Sequence, residues 1–168
     1  MTTDKNLDTY HTRLPNILDT ALLTAPIPII IFEGMELKIS FANDSLFEVW
    51  GKDESIVGRT LLEVLPELHD QPFPELLREV LRTGVTHTNS EALASVVKKG
   101  VREEIYFDFS YSAVRCPLGN IIGVLVIAKD VTDRVRAKET LQANKVALAE
   151  TNRRLEMALA AGNLGYYE

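Results

Sequence analysis

The mostly apolar run Ile121–Lys129 limits the possible folds of this chain more than any other stretch. It is rich in β-branched residues, short enough for a strand, and apolar at odd and even positions alike, which predicts a central strand covered on both faces. At Asp130-Val131-Thr132 the sequence becomes polar and helix-compatible, with Thr132 able to act as an N-cap. We therefore expect a central strand that passes directly into a long helix.

Composition and charge exclude several classes of protein. The chain of 168 residues is 46% hydrophobic and 25% charged, as is typical of one globular domain with a sizeable core. A net charge of −6 argues against a nucleic-acid-binding surface. No apolar run reaches the roughly 20 residues that span a bilayer, and residues 1–5 lack the pattern of a signal peptide, so we expect a cytoplasmic protein. The single cysteine, Cys116, excludes an internal disulfide.

The first third of the chain predicts a hairpin followed by a short helix. Pro28–Phe32 has the apolar run of a buried strand, and Leu37–Phe41 alternates as its antiparallel partner. Asn43 or Asp44 can then cap a helix that continues through Trp50.

The middle of the chain predicts a helix and three further strands. Apolar residues recur at helical spacing from Phe73 until Gly84, and Val85–Leu93 is compatible with a strand. Glu104–Val114 alternates most clearly, and Ile121–Lys129 follows it. The core face of the alternating strand is predicted to carry Ile105, Phe107, Phe109, Tyr111 and Ala113. Two strands, several helices and three strands together predict an α+β domain with a five-stranded antiparallel sheet.

Several stretches resemble, in their order, parts of the PAS family. Asp130-Val131-Thr132 after an apolar strand is similar to the end of a PAS domain, and Phe41–Ser45, Ile56–Thr60 and Leu62–Pro66 are similar to its series of short helices. The resemblance covers about Leu22–Thr132. It implies the PAS fold, with sheet order 2-1-5-4-3 and short helices on one face. It also implies a cytoplasmic sensory module of a bacterial multidomain protein, such as a two-component sensor histidine kinase.

This resemblance divides the chain into four parts. They are an N-terminal cap helix region at 1–24, a PAS domain at 25–132, a signalling helix at 133–161, and the start of a second PAS domain at 162–168. The cap helix is expected from about Arg13 to Leu23, as a lid over the sheet or as a dimer contact.

The C-terminal helix has a seven-residue leucine repeat. Leu141, Leu148 and Leu155 share one position, and Leu159 follows four residues later. The other core position of this heptad is occupied by Lys138, Lys145 and Asn152. The pattern predicts a marginal parallel coiled coil, and hence a homodimer through the C-terminal helix with the N-terminal helix as a second contact. The alternative is a helix that lies on its own domain.

The PAS resemblance also implies a ligand pocket between the concave sheet face and the short helices. A small apolar or aromatic ligand would fit such a pocket, and plain core packing is the alternative at each position. Asn43 and Tyr111 are expected to be the polar groups that reach inward. The expected pocket residues are Phe32, Phe41, Asn43, Trp50, Leu62, Phe73, Leu77, Phe107, Phe109, Tyr111, Val124 and Val126. Asp130, Thr132 and Arg134 are expected to form the signal junction.

The histidines and the cysteine lack the patterns of known cofactor sites. His69 precedes by one turn the helix that would carry an axial haem ligand, and Cys116 lacks the Asn-Cys pair of flavin-binding PAS relatives. Haem and flavin are therefore not expected, no metal site is predicted, and the cofactor stays undetermined.

Different functions remain open from the sequence. The first is a non-catalytic sensory and dimerisation module that signals to a downstream output domain, most simply a histidine kinase. The second is a small cone-shaped enzyme of the isomerase type, which needs a buried acid–base pair. Tyr106 and Asp108 fall on the outward face of their strand, which counts against the enzyme. A third is a ligand-free PAS scaffold in a protein such as a diguanylate cyclase.

Overall fold

A computed structural model describes residues 17–98 and 100–164 of the chain. The side chains of Lys98, Asn163 and Leu164 are not described. The chain divides after Asp130 into two compact units. The first unit contains the sheet and the short helices, and the second contains the C-terminal helix.

The first unit is built on one five-stranded sheet in the order β2-β1-β5-β4-β3. Each pair of neighbours is antiparallel. The strands are β1 (Ile29–Glu33), β2 (Lys38–Ala42), β3 (His87–Lys98), β4 (Val101–Arg115) and β5 (Ile121–Asp130). The two apolar strands β1 and β5 lie side by side at the centre, which confirms the predicted α+β class, the PAS topology and the strand order.

Short helices connect β2 to β3. They are α2 (Asp44–Trp50), α3 (Leu61–Val64) and α4 (Phe73–Thr83), with two 3₁₀ turns at Glu54–Ile56 and Pro66–Leu68. Residues 17–23 belong to an N-terminal helix, α1. The predicted start of α1 near Arg13 lies outside the described residues. Asn43 caps α2 as predicted, and Gly84 ends α4 in the left-handed conformation.

Strand β3 differs from its prediction. The expected strand was Val85–Leu93, whereas β3 runs from His87 to Lys98, because its pairing with β4 continues to the end of the hairpin. A bulge between Asn89 and Ala92 interrupts the alternation on which the prediction relied. Glu91 adopts a φ of 54° there, and its N–H donates to Asp108 Oδ1 at 2.9 Å. The ladder, rather than the local apolar pattern, decides where the strand ends.

The central strands β1 and β5 were predicted to be buried on both faces, but only one face is fully buried. Ile30, Phe32 and Val124 are buried on the face that carries the helices. On the other face, Ile31 and Leu125 are half-buried and Ile127 is 37% exposed. Apolar side chains on the outer face of the sheet are therefore partly accessible to solvent in the part of the chain that the structure describes.

The second unit consists mainly of one helix, α5 (Thr132–Leu164), of 33 residues. It continues three residues beyond its predicted end at 161, and the predicted second domain at 162–168 lies partly outside the described residues. Val131, Thr132 and Val135 are buried, whereas the repeat leucines Leu141 and Leu148 are 57% and 62% exposed. Among the described residues, no helix is long and apolar enough to cross a membrane.

Candidate ligand-binding cavity

The first unit contains an apolar cavity of about 90 Å³ between the sheet and the short helices. Its walls are the inner face of the sheet, the ends of α2 and α4, and the turns around α3. The lining residues are Ile30, Phe32, Leu46, Trp50, Leu61, Leu65, Leu68, Phe73, Leu77, Ala94, Val96, Phe107, Phe109, Tyr111, Val126 and Ala128. A cavity of ~150 Å³ can hold benzene, so this space suits a smaller molecule unless its walls move.

Two thirds of the residues expected in the pocket line this cavity. They are Phe32, Trp50, Phe73, Leu77, Phe107, Phe109, Tyr111 and Val126. Four of them come from alternate positions in β4 and β5, where strand parity predicts the inward face well.

Four expected pocket residues lie elsewhere. Phe41 is half-buried outside the lining, because a register shift between Ile31 and Phe32 changes the pairing of β2 with β1. Leu62 is half-buried, because α3 turns Leu61 rather than Leu62 into the core. Val124 is fully buried in the core but is not part of the lining. Asn43, the fourth, is occupied by backbone hydrogen bonds.

Asn43 connects three parts of the backbone instead of facing the cavity. Its Oδ1 accepts hydrogen bonds from the N–H groups of Ile29 at 3.0 Å and Leu46 at 3.1 Å. Its Nδ2 lies within hydrogen-bonding distance of three carbonyl oxygens, those of Leu22 (3.1 Å), Ala25 (3.3 Å) and Ile27 (2.8 Å). The fully buried amide therefore ties the segment after α1 to β1 and α2, and the prediction that it reaches the pocket is wrong.

The sequence interpretation missed eight lining residues. Leu61, Leu65 and Leu68 come from turns too short for a helical period to be evident, although their spacing of four and three would have suggested one face. Ala94 and Val96 lie beyond the predicted end of β3. Ile30, Leu46 and Ala128 complete the set.

Aromatic rings form one wall of the cavity. The Phe109 and Tyr111 rings stack with centroids 4.4 Å apart, and Phe73 meets Phe109 edge-on at 5.9 Å and 78°. Burial raises the pKa of Tyr111 above its usual range, so its hydroxyl is neutral throughout the physiological range. His87 stacks on Phe109 behind this wall, with centroids 5.9 Å apart.

The lining offers little for acid–base or metal chemistry. It contains no carboxylate, imidazole or thiol, and its side-chain polar groups are the Tyr111 hydroxyl and the Trp50 indole N–H. Asp108 instead accepts from the Glu91 N–H at the bulge of β3. Within residues 17–98 and 100–164 there is no cluster of three potential metal ligands. The cavity is therefore suited to binding by shape and apolar contact.

The predicted junction residues lie where β5 gives way to α5. Asp130 is the last residue of β5 and is exposed, Thr132 is the first residue of α5 and is buried, and Arg134 is exposed. The repeat residues Leu155 and Leu159 are exposed along α5, like Leu141 and Leu148.

Comparison with known families decides the classification. The family profile described as the PAS fold matches residues 23–136. The chain belongs to this family. The match begins within α1, includes every strand of the sheet and ends in the first turns of α5. The protein therefore contains a PAS domain, a signalling-type sensory fold.

Solved structures with the same PAS fold include receptors and isolated sensory domains. An RNA-binding light-oxygen-voltage receptor is 21% identical, with a TM-score of 0.65 over 86% of this chain and 39% of its own. The Vibrio cholerae VqmA–ligand–DNA complex is 22% identical, with a TM-score of 0.58 over 71% of this chain and 52% of that chain. The PAS domain of Bordetella pertussis BvgS is 16% identical, with a TM-score of 0.55 over 80% and 98%.

These similarities concern the fold. The present chain spans about half or less of the light-oxygen-voltage receptor and the VqmA chain, at 39% and 52% of their lengths. By contrast, it covers 98% of the isolated BvgS PAS domain.

Proposed function

We propose that this chain is a non-catalytic sensory and dimerisation module that passes a ligand- or partner-dependent signal through α5 to a downstream output domain, a histidine kinase in the simplest case. The observation that carries the proposal is the apolar cavity enclosed by the sheet and α2–α4. An apolar cavity with few polar groups is suited to binding a small molecule without transforming it.

The chemistry of the lining indicates the class of ligand. Apolar side chains make up almost all of the lining, and the Tyr111 hydroxyl and Trp50 indole can each make one hydrogen bond. We therefore propose a small, uncharged, apolar or aromatic molecule. A charged ligand would lose its hydration without gaining a buried counter-charge.

The exposed leucines of α5 support dimerisation. Leu141, Leu148 and Leu155 recur at seven residues, and each is more than half exposed in a single chain. A second copy of α5 would bury them in a parallel coiled coil. Ile17 and Leu18 of α1 are also more than half exposed, which supports the N-terminal helix as a second contact.

The junction residues are proposed to couple the module to its output. Asp130→Ala should leave the fold largely intact but abolish ligand-dependent regulation of the output domain in the full-length protein, because one exposed polar group contributes only about 0.5 to 1.5 kcal/mol to stability. Regulation that persists unchanged in this variant would argue against Asp130 as a coupling residue. Glu139→Ala, which removes a carboxylate from the exposed side of α5, is a matched control.

The proposal is tested by analysing the purified protein for a bound molecule. We expect mass spectrometry of a solvent extract to reveal a small apolar compound, and the absorption spectrum to lack haem and flavin bands. If no compound is recovered from protein purified from cells that were grown under several different conditions, ligand sensing is contradicted.

The small size of the cavity favours a second candidate. At about 90 Å³ the space is below the usual range of ligand pockets, about 300 to 1,000 Å³. A ligand-free PAS scaffold, in a diguanylate cyclase or a similar protein, would dimerise through the same helices without a bound molecule. The extraction experiment separates this scaffold from the sensor.

A further inference from the structure

One wall of the cavity is a segment that contains a 3₁₀ turn but no α-helix or strand. Residues 65–72, here called the roof segment, connect α3 to α4, and Leu65 and Leu68 within it line the cavity. On the opposing side, Ala94 and Val96 of the edge strand β3 line the same cavity. The roof segment and β3 therefore meet along one side of the space.

Two side chains hold the roof segment to β3. The Nε2 of Gln71 donates to the Ser95 carbonyl oxygen at 2.7 Å, and its Oε1 accepts from the Ser95 N–H at 3.0 Å. The Oε1 of Glu67 accepts from the Val97 N–H at 2.7 Å. These side chains, here called the latch, occupy the edge of β3 in place of a further strand.

The backbone of the roof segment is bonded mainly to itself. The N–H groups of Leu68, His69 and Gln71 donate to carbonyl oxygens three residues earlier. Gln71 Nε2 also lies 2.9 Å from the Glu67 carbonyl oxygen, which joins the two latch residues. A wall held by a few side-chain hydrogen bonds can open locally while the sheet stays intact.

A second, smaller void lies next to the cavity. It measures about 10 Å³ and shares Trp50, Leu65, Val96 and Phe107 with the main cavity. Its lining also includes Val97, whose N–H the latch binds. The packing next to the main cavity is therefore incomplete near Val97, where the latch binds.

We propose that the roof segment is the gate through which a small, uncharged, apolar molecule reaches the cavity, and that Gln71 and Glu67 control its opening. This inference rests on the proposed function, since it assigns the access route of the proposed ligand. Neither latch residue lines the cavity, so each controls access without touching the bound molecule.

Hydrogen exchange of the full chain tests the gate without a ligand. Amide groups alternate in direction along a strand, so Ala94 and Val96 point theirs to β4 while Ser95 and Val97 point theirs to the latch. We expect Ser95 and Val97 to exchange together and faster than Ala94 and Val96 in the unmodified protein. Glu67→Ala should accelerate the exchange of Val97 roughly three- to tenfold, as expected for one lost hydrogen bond. Gln71→Leu should accelerate the exchange of Ser95 at least as much, because it removes two hydrogen bonds to Ser95.

Access to the cavity is measured by xenon quenching of Trp50, the single tryptophan of the chain, which lies in the lining. The quenching rate constant should rise roughly three- to tenfold in Gln71→Leu and Glu67→Ala. Glu67→Gln should behave as the unmodified protein, because its amide oxygen still accepts from Val97. Glu48→Ala, on the exposed side of α2, is the matched control and should also cause no change.

The outcomes separate the gate from the function on which it rests. Exchange of Ser95 and Val97 at the rate of Ala94 and Val96, or equal xenon quenching in all variants, would overturn the gate. If exchange and quenching change as expected but no molecule is recovered from the purified protein, the gate is supported and the proposed ligand sensing fails.

Discussion

At the scale of single residues, Asn43 holds together segments that are far apart in the sequence. Its buried amide accepts from two N–H groups and lies within hydrogen-bonding distance of three carbonyl oxygens between Leu22 and Leu46. A buried polar group that loses its partner costs more than an average hydrogen bond contributes, because it remains without water. Asn43 therefore contributes to stability through the groups that it satisfies.

Asn43→Ala should lower the free energy of unfolding by about 3 kcal/mol. It removes the N-cap of α2 and leaves several backbone groups without a partner. Urea unfolding followed by circular dichroism measures the change. Asp53→Ala is the matched control, since Asp53 caps an exposed 3₁₀ turn through one hydrogen bond to Ser55. Equal losses in both variants would show that Asn43 acts only as a cap.

Tyr111 should make stability depend on alkaline pH. Burial raises its pKa in the folded protein above the ordinary value of 10.0. The contribution of the neutral Tyr111 hydroxyl to the free energy of unfolding is fully present below pH 10. It is lost as the pH rises above 10, because the Tyr111 hydroxyl can then ionise in the unfolded chain. The urea midpoint should fall more between pH 8 and 11 in the unmodified protein than in Tyr111→Phe. Phe107→Leu, which alters a residue of the same lining that cannot ionise, is the control and should not reduce this fall.

Residue positions could be predicted from the sequence where a regular period applied. Phe107, Phe109 and Tyr111 line the cavity as strand alternation indicated. Leu62 does not line the cavity, because α3 is too short for a helical period to show which residue faces the core. Asn43 does not line it either, because its amide is hydrogen-bonded to the backbone. Leu65 and Leu68 line the cavity because of the path that the chain takes between α3 and α4, and the sequence pattern does not show this path.

At the scale of elements, the central pair β1–β5 requires a glycine. Gly123 lies opposite Glu33, and a Cβ atom there would stand 2.7 Å from the Phe32 carbonyl oxygen. That contact is with backbone and cannot be relieved by a side-chain rotation. The glycine therefore allows two apolar strands to approach closely.

Gly123→Ala should lower the free energy of unfolding by about 2 kcal/mol, because the strands must separate to admit the methyl group. Thermal and urea unfolding provide the measurement. Gly162→Ala in α5 is the comparison, since a Cβ there meets no atom within 4 Å and alanine favours a helix. A harmless Gly123→Ala would mean that the strand pair tolerates the extra volume.

Helix α5 should mediate dimerisation. Sedimentation equilibrium should show a dimer dissociating in the tens of micromolar range for the full chain and a weaker association for a chain ending at Asp133. Leu148→Lys should weaken the dimer, whereas Ala147→Lys, one position away from the leucine seam, should not. The helix would be excluded as the dimer element if both lengths behaved alike.

Element types were more predictable than element ends. The five strands followed from apolar runs and local hairpins, and α4 followed from its helical stripe. The order of the strands followed from the resemblance to the PAS family. The end of β3 could not be predicted in this way. A bulge, at which Asp108 accepts a hydrogen bond, shifts the alternation of β3, and pairing with β4 extends the strand. Cross-strand hydrogen bonds are tertiary information that a local pattern does not contain.

At the scale of the whole molecule, the cavity is either a binding site or a gap in the packing. Both readings predict that filling it leaves the fold intact, but only a binding site loses its ligand. Ala94 lines the cavity from β3, and Ala92 lies two residues away on the same strand without lining it. These two alanines provide a matched pair of substitutions.

Native mass spectrometry of the purified chain tests the sensor function most directly. We predict an added mass that denaturation removes, corresponding to a molecule smaller than benzene, of about three to five non-hydrogen atoms. The added mass should be absent in Ala94→Leu and retained in Ala92→Leu. No added mass in the unmodified chain, together with higher stability of Ala94→Leu, would contradict the sensor and identify the cavity as a packing gap.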